Sequence, residues 1–278
     1  MHFGEQLAEL TDGRIAVEVF PNESLGREID MINGMQLGTV DMTITGESLA
    51  NWTPMAALLA IPYGYQTLEE MDAIASGEIG AQIEQSIIDG AQIRPIAYFA
   101  RGPRHLTSNR AITTPDDLNG LALRVPNVPL FVDTWQALGA RPTPMAFGEV
   151  FTSLQSGTID AQENPLALIR SASFNEVQSH LNMTAHVRSW IYLTLSEATW
   201  SALSPEDQEA VMEAARRTQA YERELFEAEE DAHREFLEGA GMTFVEVDQA
   251  AFAASSRDAV LSNVPDEIRD IVASLFED

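Results

Sequence analysis

The residues that point most directly to chemistry are four arginines in a short stretch of a strongly acidic chain. The stretch runs from residue 101 to residue 124 and contains two acids, so it carries 4 − 2 = +2 in a chain whose formal net charge is −27. A guanidinium can form paired hydrogen bonds with a carboxylate, so the cluster predicts a pocket for a small anion. Pairing with structural carboxylates explains any single arginine equally well. The four residues are Arg101, Arg104, Arg110 and Arg124.

Arg124 is the strongest candidate because of the sequence around it. Residues 121–126 read Leu-Ala-Leu-Arg-Val-Pro, an apolar strand ended by proline. Side chains alternate between the faces of a strand, so Leu123 and Val125 point one way and Arg124 points the other. A guanidinium that points into a covered face needs an anionic partner, which either the protein or a ligand can supply.

A second polar run, residues 161–165 (Ala-Gln-Glu-Asn-Pro), falls at a predicted strand end before a helix. Ligands of open α/β sheets bind at the carboxyl ends of strands, which makes Asn164 a candidate for ligand contact. An enzyme acting on a carboxylate substrate, with Glu47 or Glu163 as acid or base, is the alternative. The sequence has no His-Glu metal spacing, nucleophile elbow or glycine-rich phosphate loop, and this favours binding over catalysis.

The composition of the 278 residues excludes several further classes. There is no cysteine, which rules out disulfides, thiolate zinc sites and cysteine nucleophiles. All 16 basic residues are arginine, against 43 acids, so the surface repels nucleic acid and resembles that of salt-adapted proteins. No apolar run approaches the roughly 20 residues that span a bilayer. The five histidines are scattered, and we expect no metal site and no cofactor.

The elements that must position these residues follow an α/β pattern. Short β-rich runs alternate with helix-periodic runs in the first half, which predicts a largely parallel sheet. Helices are predicted at residues 26–36 and 68–88, the second broken near Gly77 and Gly80. Strands are predicted over residues 15–20, 41–46, 93–100, 121–126, 141–145, 181–186, 191–196 and 242–247.

One predicted helix stands out for its length. Ser204 suits the N-cap, Pro205 suits the first helical position, and helical periodicity continues to about Glu238. At about 1.5 Å per residue this helix is roughly 50 Å long, enough to cross two lobes. A helical hairpin, or an edge helix of a single domain, is the alternative.

Four motifs, in this order, resemble the solute-binding subunit of tripartite ATP-independent periplasmic (TRAP) transporters. They are residues 104–110 (Arg-His-Leu-Thr-Ser-Asn-Arg), 117–127 (Asp-Leu-Asn-Gly-Leu-Ala-Leu-Arg-Val-Pro-Asn), 139–150 (Gly-Ala-Arg-Pro-Thr-Pro-Met-Ala-Phe-Gly-Glu-Val) and 157–165 (Gly-Thr-Ile-Asp-Ala-Gln-Glu-Asn-Pro). Upstream, residues 13–14, 20–26 and 38–42 also fit, so the resemblance covers nearly the whole chain.

The resemblance implies a two-lobed, periplasmic-binding-protein-like α/β fold with the long helix spanning both lobes. Such a protein closes on a small organic anion and delivers it to the membrane subunits of the transporter. Residues 1–101 plus 190–231 would form lobe I, and residues 102–189 plus 232–278 would form lobe II. It also implies a periplasmic monomer that has no enzymatic activity and does not bind nucleic acid.

The resemblance further assigns roles to individual residues. Arg124 would hold the ligand carboxylate and Asn164 would support it. Arg104 would be a second cationic contact, Asn127 a polar lining residue and Phe147 an apolar wall. Two acids are weaker candidates for contact with ligand hydroxyl or amine groups, and exposed acids on an acidic protein explain them equally well: Glu47 and Glu28.

A second cation with acids nearby favours a hydroxylated sugar acid, such as a uronate or sialate, over a C4-dicarboxylate. A sensory protein with the same pocket is a further alternative. Members of this family usually begin, after a signal peptide, with a β-strand and then a helix, and this sequence starts at a helix near His2. We therefore expect the chain to lack both the signal peptide and the first strand.

Overall fold

The computed structural model describes residues 1–277 and shows two β-sheets flanked by helices. The strands are β1 (Met42–Thr45), β2 (Ile93–Ala100), β3 (Arg104–Ser108), β4 (Ala122–Val125), β5 (Arg141–Pro144), β6 (Ala161–Asn164), β7 (His180–Val187), β8 (Trp190–Ser196) and β9 (Thr243–Val245). The helices are α1 (His2–Leu10), α2 (Glu28–Gln36), α3 (Leu68–Ala75), α4 (Glu78–Ala91), α5 (Pro129–Ala137), α6 (Val150–Gln155), α7 (Leu166–Ser171), α8 (Glu197–Ala202), α9 (Pro205–Gly239), α10 (Gln249–Asn263) and α11 (Arg269–Ser274).

The two sheets define two lobes. Lobe I is built on a sheet of order β1-β8-β2, and lobe II on a sheet of order β5-β4-β6-β3-β7-β9. Lobe I buries apolar side chains such as Ile83, Ile87 and Trp190, and lobe II buries Leu106 and Leu123. The two-lobed α/β fold expected from the sequence is therefore present.

The prediction of a largely parallel sheet is wrong. Both pairings in lobe I are antiparallel, and lobe II mixes parallel with antiparallel pairings. The reason is a ribbon that runs through both lobes, in which β2 continues into β3 and β7 continues into β8. The two halves of this ribbon pair antiparallel in each lobe, and between the lobes the Arg101 amide donates to the Ser189 carbonyl at 3.1 Å.

The long helix is confirmed as α9, which spans 35 residues. It begins as predicted, because the Ser204 hydroxyl accepts a hydrogen bond from the Asp207 amide at 3.1 Å. Near its start it buries Val211 and Ala214 in lobe I, and near its end it buries Leu237 in lobe II. The helix therefore packs on both lobes and limits how they can move relative to each other.

The strand predicted over residues 15–20 is absent. Val19 and Phe20 are 52% and 49% exposed, and the segment pairs with no strand of the described residues. The outer edge of β1 is similarly open within residues 1–277, and Ile44 on it is 53% exposed. Alternating apolar residues favour a strand, but a strand also needs a hydrogen-bonded neighbour, and this segment has none.

The sequence patterns missed β3, whose five residues are all buried. Four of these residues are polar or charged, so neither alternation nor an apolar run marks the strand. At the other end of the chain, Val260, Val264 and Ile268 pack into the core of lobe I. None of the helices in the described part of the chain is both long and apolar enough to cross a membrane.

Candidate functional site

Arg124 lies in β4 with only 3% of its surface exposed. Its Nε and Nη2 atoms donate to the Met145 carbonyl at 3.0 and 2.6 Å, and no carboxylate of residues 1–277 forms an ion pair with it. Burial lowers the pKa of Arg124 to about 10, which leaves the group charged at neutral pH. The result is a buried cation held by one neutral acceptor, with the capacity to bind an anion.

Phe147 lies beside this cation. The Arg124 guanidinium carbon is 5.9 Å from the centre of the Phe147 ring, which in turn packs edge-on against Phe174 at 5.8 Å. Phe147 is half-buried. An aromatic ring next to the guanidinium favours one orientation of that planar group, and the role of Phe147 as an apolar wall for a ligand stays a prediction.

Asn164 lies at the end of β6, directly beside β4. Arg124 and Gln162 are register partners, and Asn164 is two residues further on, so all three side chains share one face of the sheet. The Asn164 Nδ2 atom donates to Gln162 Oε1 at 2.7 Å, and Gln162 donates to the Thr107 hydroxyl at 2.9 Å. This chain of hydrogen bonds fixes the Asn164 amide, which is 2% exposed, next to the buried cation.

Arg104 is also buried, but its guanidinium is already occupied. It forms a bidentate pair with the Glu163 carboxylate, and its Nη1 atom donates to Glu47 at 2.9 Å. On the other side of Glu163, one carboxylate oxygen lies 2.9 Å from His186 Nε2. The structure thus places Arg104 near Arg124 but commits it to two carboxylates of the protein.

The ion pairs control the charges of these groups. Burial disfavours the Glu163 carboxylate, but the Arg104 guanidinium outweighs burial and holds the pKa of Glu163 at about 2. Burial by itself would raise the pKa of Glu47. The guanidinium groups of Arg101 and Arg104 outweigh burial and lower this pKa. Burial lowers the pKa of His186, so that histidine is neutral at pH 7. Glu163 and Glu47 are therefore ionised at neutral pH.

Glu28 and Glu47 approach from lobe I. Glu28 accepts hydrogen bonds from the Thr45 hydroxyl at 2.6 Å and from the Ser48 hydroxyl at 2.9 Å. Glu47 accepts from Arg101 at 3.1 Å in addition to Arg104. Neither acid is an exposed surface carboxylate, because Glu47 is 7% exposed and Glu28 is partly buried.

Further contacts, besides the Arg104–Glu47 ion pair, join the two lobes. The Asn51 side chain in lobe I donates to the Asn127 carbonyl in lobe II at 2.8 Å, and Arg27 pairs with Glu149. The Asn127 residue itself is exposed, and the structure shows only its backbone in a hydrogen bond. These contacts hold the lobes together over the side chains described above.

Sequence reasoning missed two members of this site. Arg101 was visible only as part of the arginine count, and nothing in its local sequence marked Glu47 as its partner. Nothing in the scattered histidines singled out His186, which is buried and contacts Glu163. Within the described residues, no group of three or more His, Asp and Glu side chains is arranged to hold a metal ion.

The buried histidines predict a specific acid sensitivity. His105 Nδ1 accepts from the Ala185 amide at 3.1 Å, and burial lowers the pKa of His105 to about 3. Because the unfolded chain takes up this proton below about pH 6.5 and the folded chain does not, stability falls as pH drops from 6.5 towards 3. The loss at His105 should be on the order of 4 kcal/mol across that window.

Urea unfolding of the wild type and of His105→Gln at pH 7, 5 and 4 measures this effect. The free energy of unfolding should depend less on pH in His105→Gln than in the wild type. His180→Gln, at a partly exposed histidine, is the matched control and should keep the wild-type slope. Equal slopes in all three proteins would contradict the assignment to His105.

Two lobes joined by a continuous ribbon, with a buried arginine that has no carboxylate partner in residues 1–277, are the architecture of a solute-binding protein. A model of bacterial extracellular solute-binding protein family 7 matches residues 1–263. The chain belongs to this family, and its relatives below are periplasmic solute-binding proteins of TRAP transporters. The family consists of transporter subunits rather than enzymes, so the enzyme alternative is set aside.

Two relatives show the similarity in sequence. A solute-binding protein of Roseobacter denitrificans is 71% identical over 276 residues, which are 99% of this chain and 85% of the relative. The 2,3-diketo-L-gulonate-binding periplasmic protein of Escherichia coli is 33% identical over 270 residues, which are 95% of this chain and 82% of the relative.

Solved structures show the same similarity in fold. A TRAP periplasmic solute-binding protein from Roseobacter denitrificans with bound L-galactonate matches with a TM-score of 0.98 and 71% identity, over 99% of this chain and 92% of that chain. One from a Bradyrhizobium species, in complex with α/β-D-galacturonate, matches with a TM-score of 0.93 and 32% identity, over 99% and 92% of the two chains.

Proposed function

We propose that this protein captures a hydroxylated sugar monocarboxylate in the cleft between its lobes and delivers it to the membrane subunits of a TRAP transporter. The observation that carries the proposal is the buried Arg124 guanidinium, whose hydrogen bonds go to one backbone carbonyl. A ligand carboxylate would complete the bidentate pair that this geometry lacks. Asn164 would donate or accept a further hydrogen bond, and Phe147 would cover the apolar side of the ligand.

The pairing of Arg104 with carboxylates of the protein argues against a dicarboxylate ligand. Arg104 is bound to Glu163 and Glu47, and Arg101 is bound to Glu47, so a second ligand carboxylate would meet guanidinium groups that are already neutralised. On the lobe I side of the site, the Glu28 carboxylate is bound by hydroxyl groups and, within residues 1–277, by no cation. Its oxygens accept hydrogen bonds, which suits the hydroxyl groups of a sugar acid and not a second anion.

The relatives support an aldonate or uronate as the ligand class. The Roseobacter denitrificans structure holds L-galactonate, and the Bradyrhizobium structure holds galacturonate. Both ligands carry one carboxylate and several hydroxyls, as the site here requires. At 71% identity, L-galactonate is the first ligand to test for this chain. We further propose that the protein acts as a periplasmic monomer.

A thermal-shift panel tests the proposal at moderate and at high salt. The panel contains L-galactonate, D-galacturonate, succinate and galactitol, the last having the hydroxyls of galactonate without its carboxylate. A ligand at about 100 times its dissociation constant adds roughly 2.7 kcal/mol to the free energy of unfolding. At about 2–4 °C per kcal/mol, the melting temperature should rise by roughly 5–10 °C.

We expect this rise with at least one sugar acid and no rise with galactitol. A larger shift with succinate than with either sugar acid would favour a dicarboxylate and contradict the proposed class. Equal shifts with galactonate and galactitol would show that the carboxylate is not recognised, and the proposed role of Arg124 would then fail.

A further inference from the structure

The charged groups around the cleft balance before any ligand is bound. Three carboxylates and three guanidinium groups interact there: Glu28, Glu47, Glu163, Arg101, Arg104 and Arg124. Four of these groups are joined in ion pairs, and the two that are not are Arg124 and Glu28. Among the residues that the structure describes, Arg124 donates only to a carbonyl, and Glu28 accepts only from the hydroxyls of Thr45 and Ser48.

A bound carboxylate would disturb this balance. It neutralises Arg124 and leaves four carboxylates facing three guanidinium groups inside a closed cleft. An uncompensated charge in a buried site is costly, and the usual response is a change of protonation state. Glu47 and Glu163 are held ionised by their arginines, so the excess charge falls on Glu28.

We propose that ligand binding is coupled to the uptake of one proton by Glu28, which is a neutral acid in the complex. The inference rests on the proposed function, because it requires an anionic ligand at Arg124. The Glu28 hydroxyl then donates a hydrogen bond to a ligand oxygen or to Thr45, whose own hydroxyl can rotate to accept it. Protonation of Glu28 thus keeps the net charge of the site unchanged when the anionic ligand binds.

The groups around Glu28 have opposing effects on its pKa. The N-terminus of α2, Arg101 and the hydrogen bonds from Thr45 and Ser48 favour the carboxylate. Burial and the neighbouring Glu47 favour the neutral acid. Burial is the largest of these effects, and it raises the pKa of Glu28 even without a ligand. Arg104 and Arg124 in lobe II also favour the carboxylate until the ligand neutralises Arg124.

Isothermal titration with L-galactonate measures the proton directly. The titration is repeated in phosphate and in Tris, whose ionisation enthalpies differ, at several pH values between 6 and 9. The dependence of the observed enthalpy on the buffer gives the number of protons taken up. We expect this number to rise to about one per ligand above the pKa of Glu28 in the free protein, and the dissociation constant to increase about tenfold per pH unit there.

Glu28→Gln tests the assignment, because glutamine has the shape of the neutral acid and cannot take up a proton. This variant should bind L-galactonate with no proton uptake and with a dissociation constant that is constant over the same pH range. Glu9→Gln, at an exposed acid of α1, is the matched control and should behave as the wild type. Circular dichroism confirms that each variant is folded.

The outcomes separate this inference from the proposed function. If no acid of the panel binds the wild type, the proposed function fails and the inference fails with it. If L-galactonate binds the wild type with no proton uptake at any pH, the function stands and the inference is wrong. Proton uptake that persists in a folded Glu28→Gln variant would assign the proton to another group.

Discussion

Replacing Arg124 with alanine should weaken ligand binding by about 2–5 kcal/mol, the range measured for truncation of one member of a buried charge pair. At 1.4 kcal/mol per factor of ten, this is a loss of about 30-fold to several thousand-fold in affinity. The reason is that the ligand carboxylate would enter a closed cleft and find no cation, since Arg104 and Arg101 are held by Glu47 and Glu163. Isothermal titration with L-galactonate measures the change.

Two further variants sharpen this prediction. Arg124→Lys keeps the charge but loses the planar fork, so its affinity should fall between the wild type and Arg124→Ala. Arg110→Ala removes an exposed arginine from the same segment and should leave binding unchanged. An unchanged dissociation constant for a folded Arg124→Ala protein would remove Arg124 from the binding site.

Removing the charge of Arg124 should weaken ligand binding but should not destabilise the ligand-free protein. Without a ligand, Arg124 is a buried cation with no anionic partner in residues 1–277, and such a group costs folding free energy. Arg124→Met keeps most of the side-chain volume and removes the charge. The free energy of unfolding of this variant without ligand should therefore equal or exceed that of the wild type, while its ligand-induced stabilisation should be lost.

The second large effect is expected at Glu163, and it concerns stability. Its carboxylate is fully buried and binds both Arg104 and His186. Glu163→Ala would leave the Arg104 guanidinium buried with Glu47 as its remaining partner, and breaking a buried pair in this way costs about 3–5 kcal/mol. Urea unfolding at pH 7 should show this decrease in the free energy of unfolding.

A surface pair provides the matched control. Glu213 on α9 contacts Arg216 and Arg217, but all three side chains are at least 37% exposed. Glu213→Ala should therefore leave the free energy of unfolding nearly unchanged. Equal effects of the two substitutions would show that the Glu163 pair does not stabilise the fold.

Glu163 also has a defined pH dependence. The folded-state pKa of about 2 is below the ordinary value of 4.5, so the unfolded chain takes up this proton first. The stabilisation by Glu163 is therefore complete above pH 4.5 and decreases as pH falls towards 2. The His105 effect begins at pH 6.5, so a pH titration of stability shows it alone between pH 6.5 and 4.5, and both effects below pH 4.5.

Much of the fold could be predicted from the sequence because its signals are local. The N-cap and proline at residues 204–205, followed by helical periodicity, indicated α9 almost to its ends. The apolar run at residues 93–100 matches β2 residue for residue. The strand at residues 15–20 and the parallel sheet were wrong because they depend on which strand lies beside which, and alternation of side chains carries no such information.

The candidate site shows the same contrast between local signals and contacts of residues far apart in the sequence. Arg124, Asn164 and Phe147 are candidates because each lies in a short motif, and the structure brings all three to one region of lobe II. The pairing of Arg104 with Glu163 joins positions 59 residues apart, and the pairing with Glu47 joins positions 57 apart. Sequence therefore predicted that Arg104 would be a cation at the site, and could not show that two carboxylates of the protein already hold it.

A crystal structure of the complex with L-galactonate, or with whichever acid of the panel binds most tightly, tests the central claim most directly. We predict that the ligand carboxylate lies within hydrogen-bond distance of both Nη atoms, or of Nε and one Nη atom, of Arg124, with Asn164 beside it and the hydroxyls directed towards lobe I. A complex in which a hydroxyl group faces Arg124 and the carboxylate contacts another residue or solvent would contradict the account.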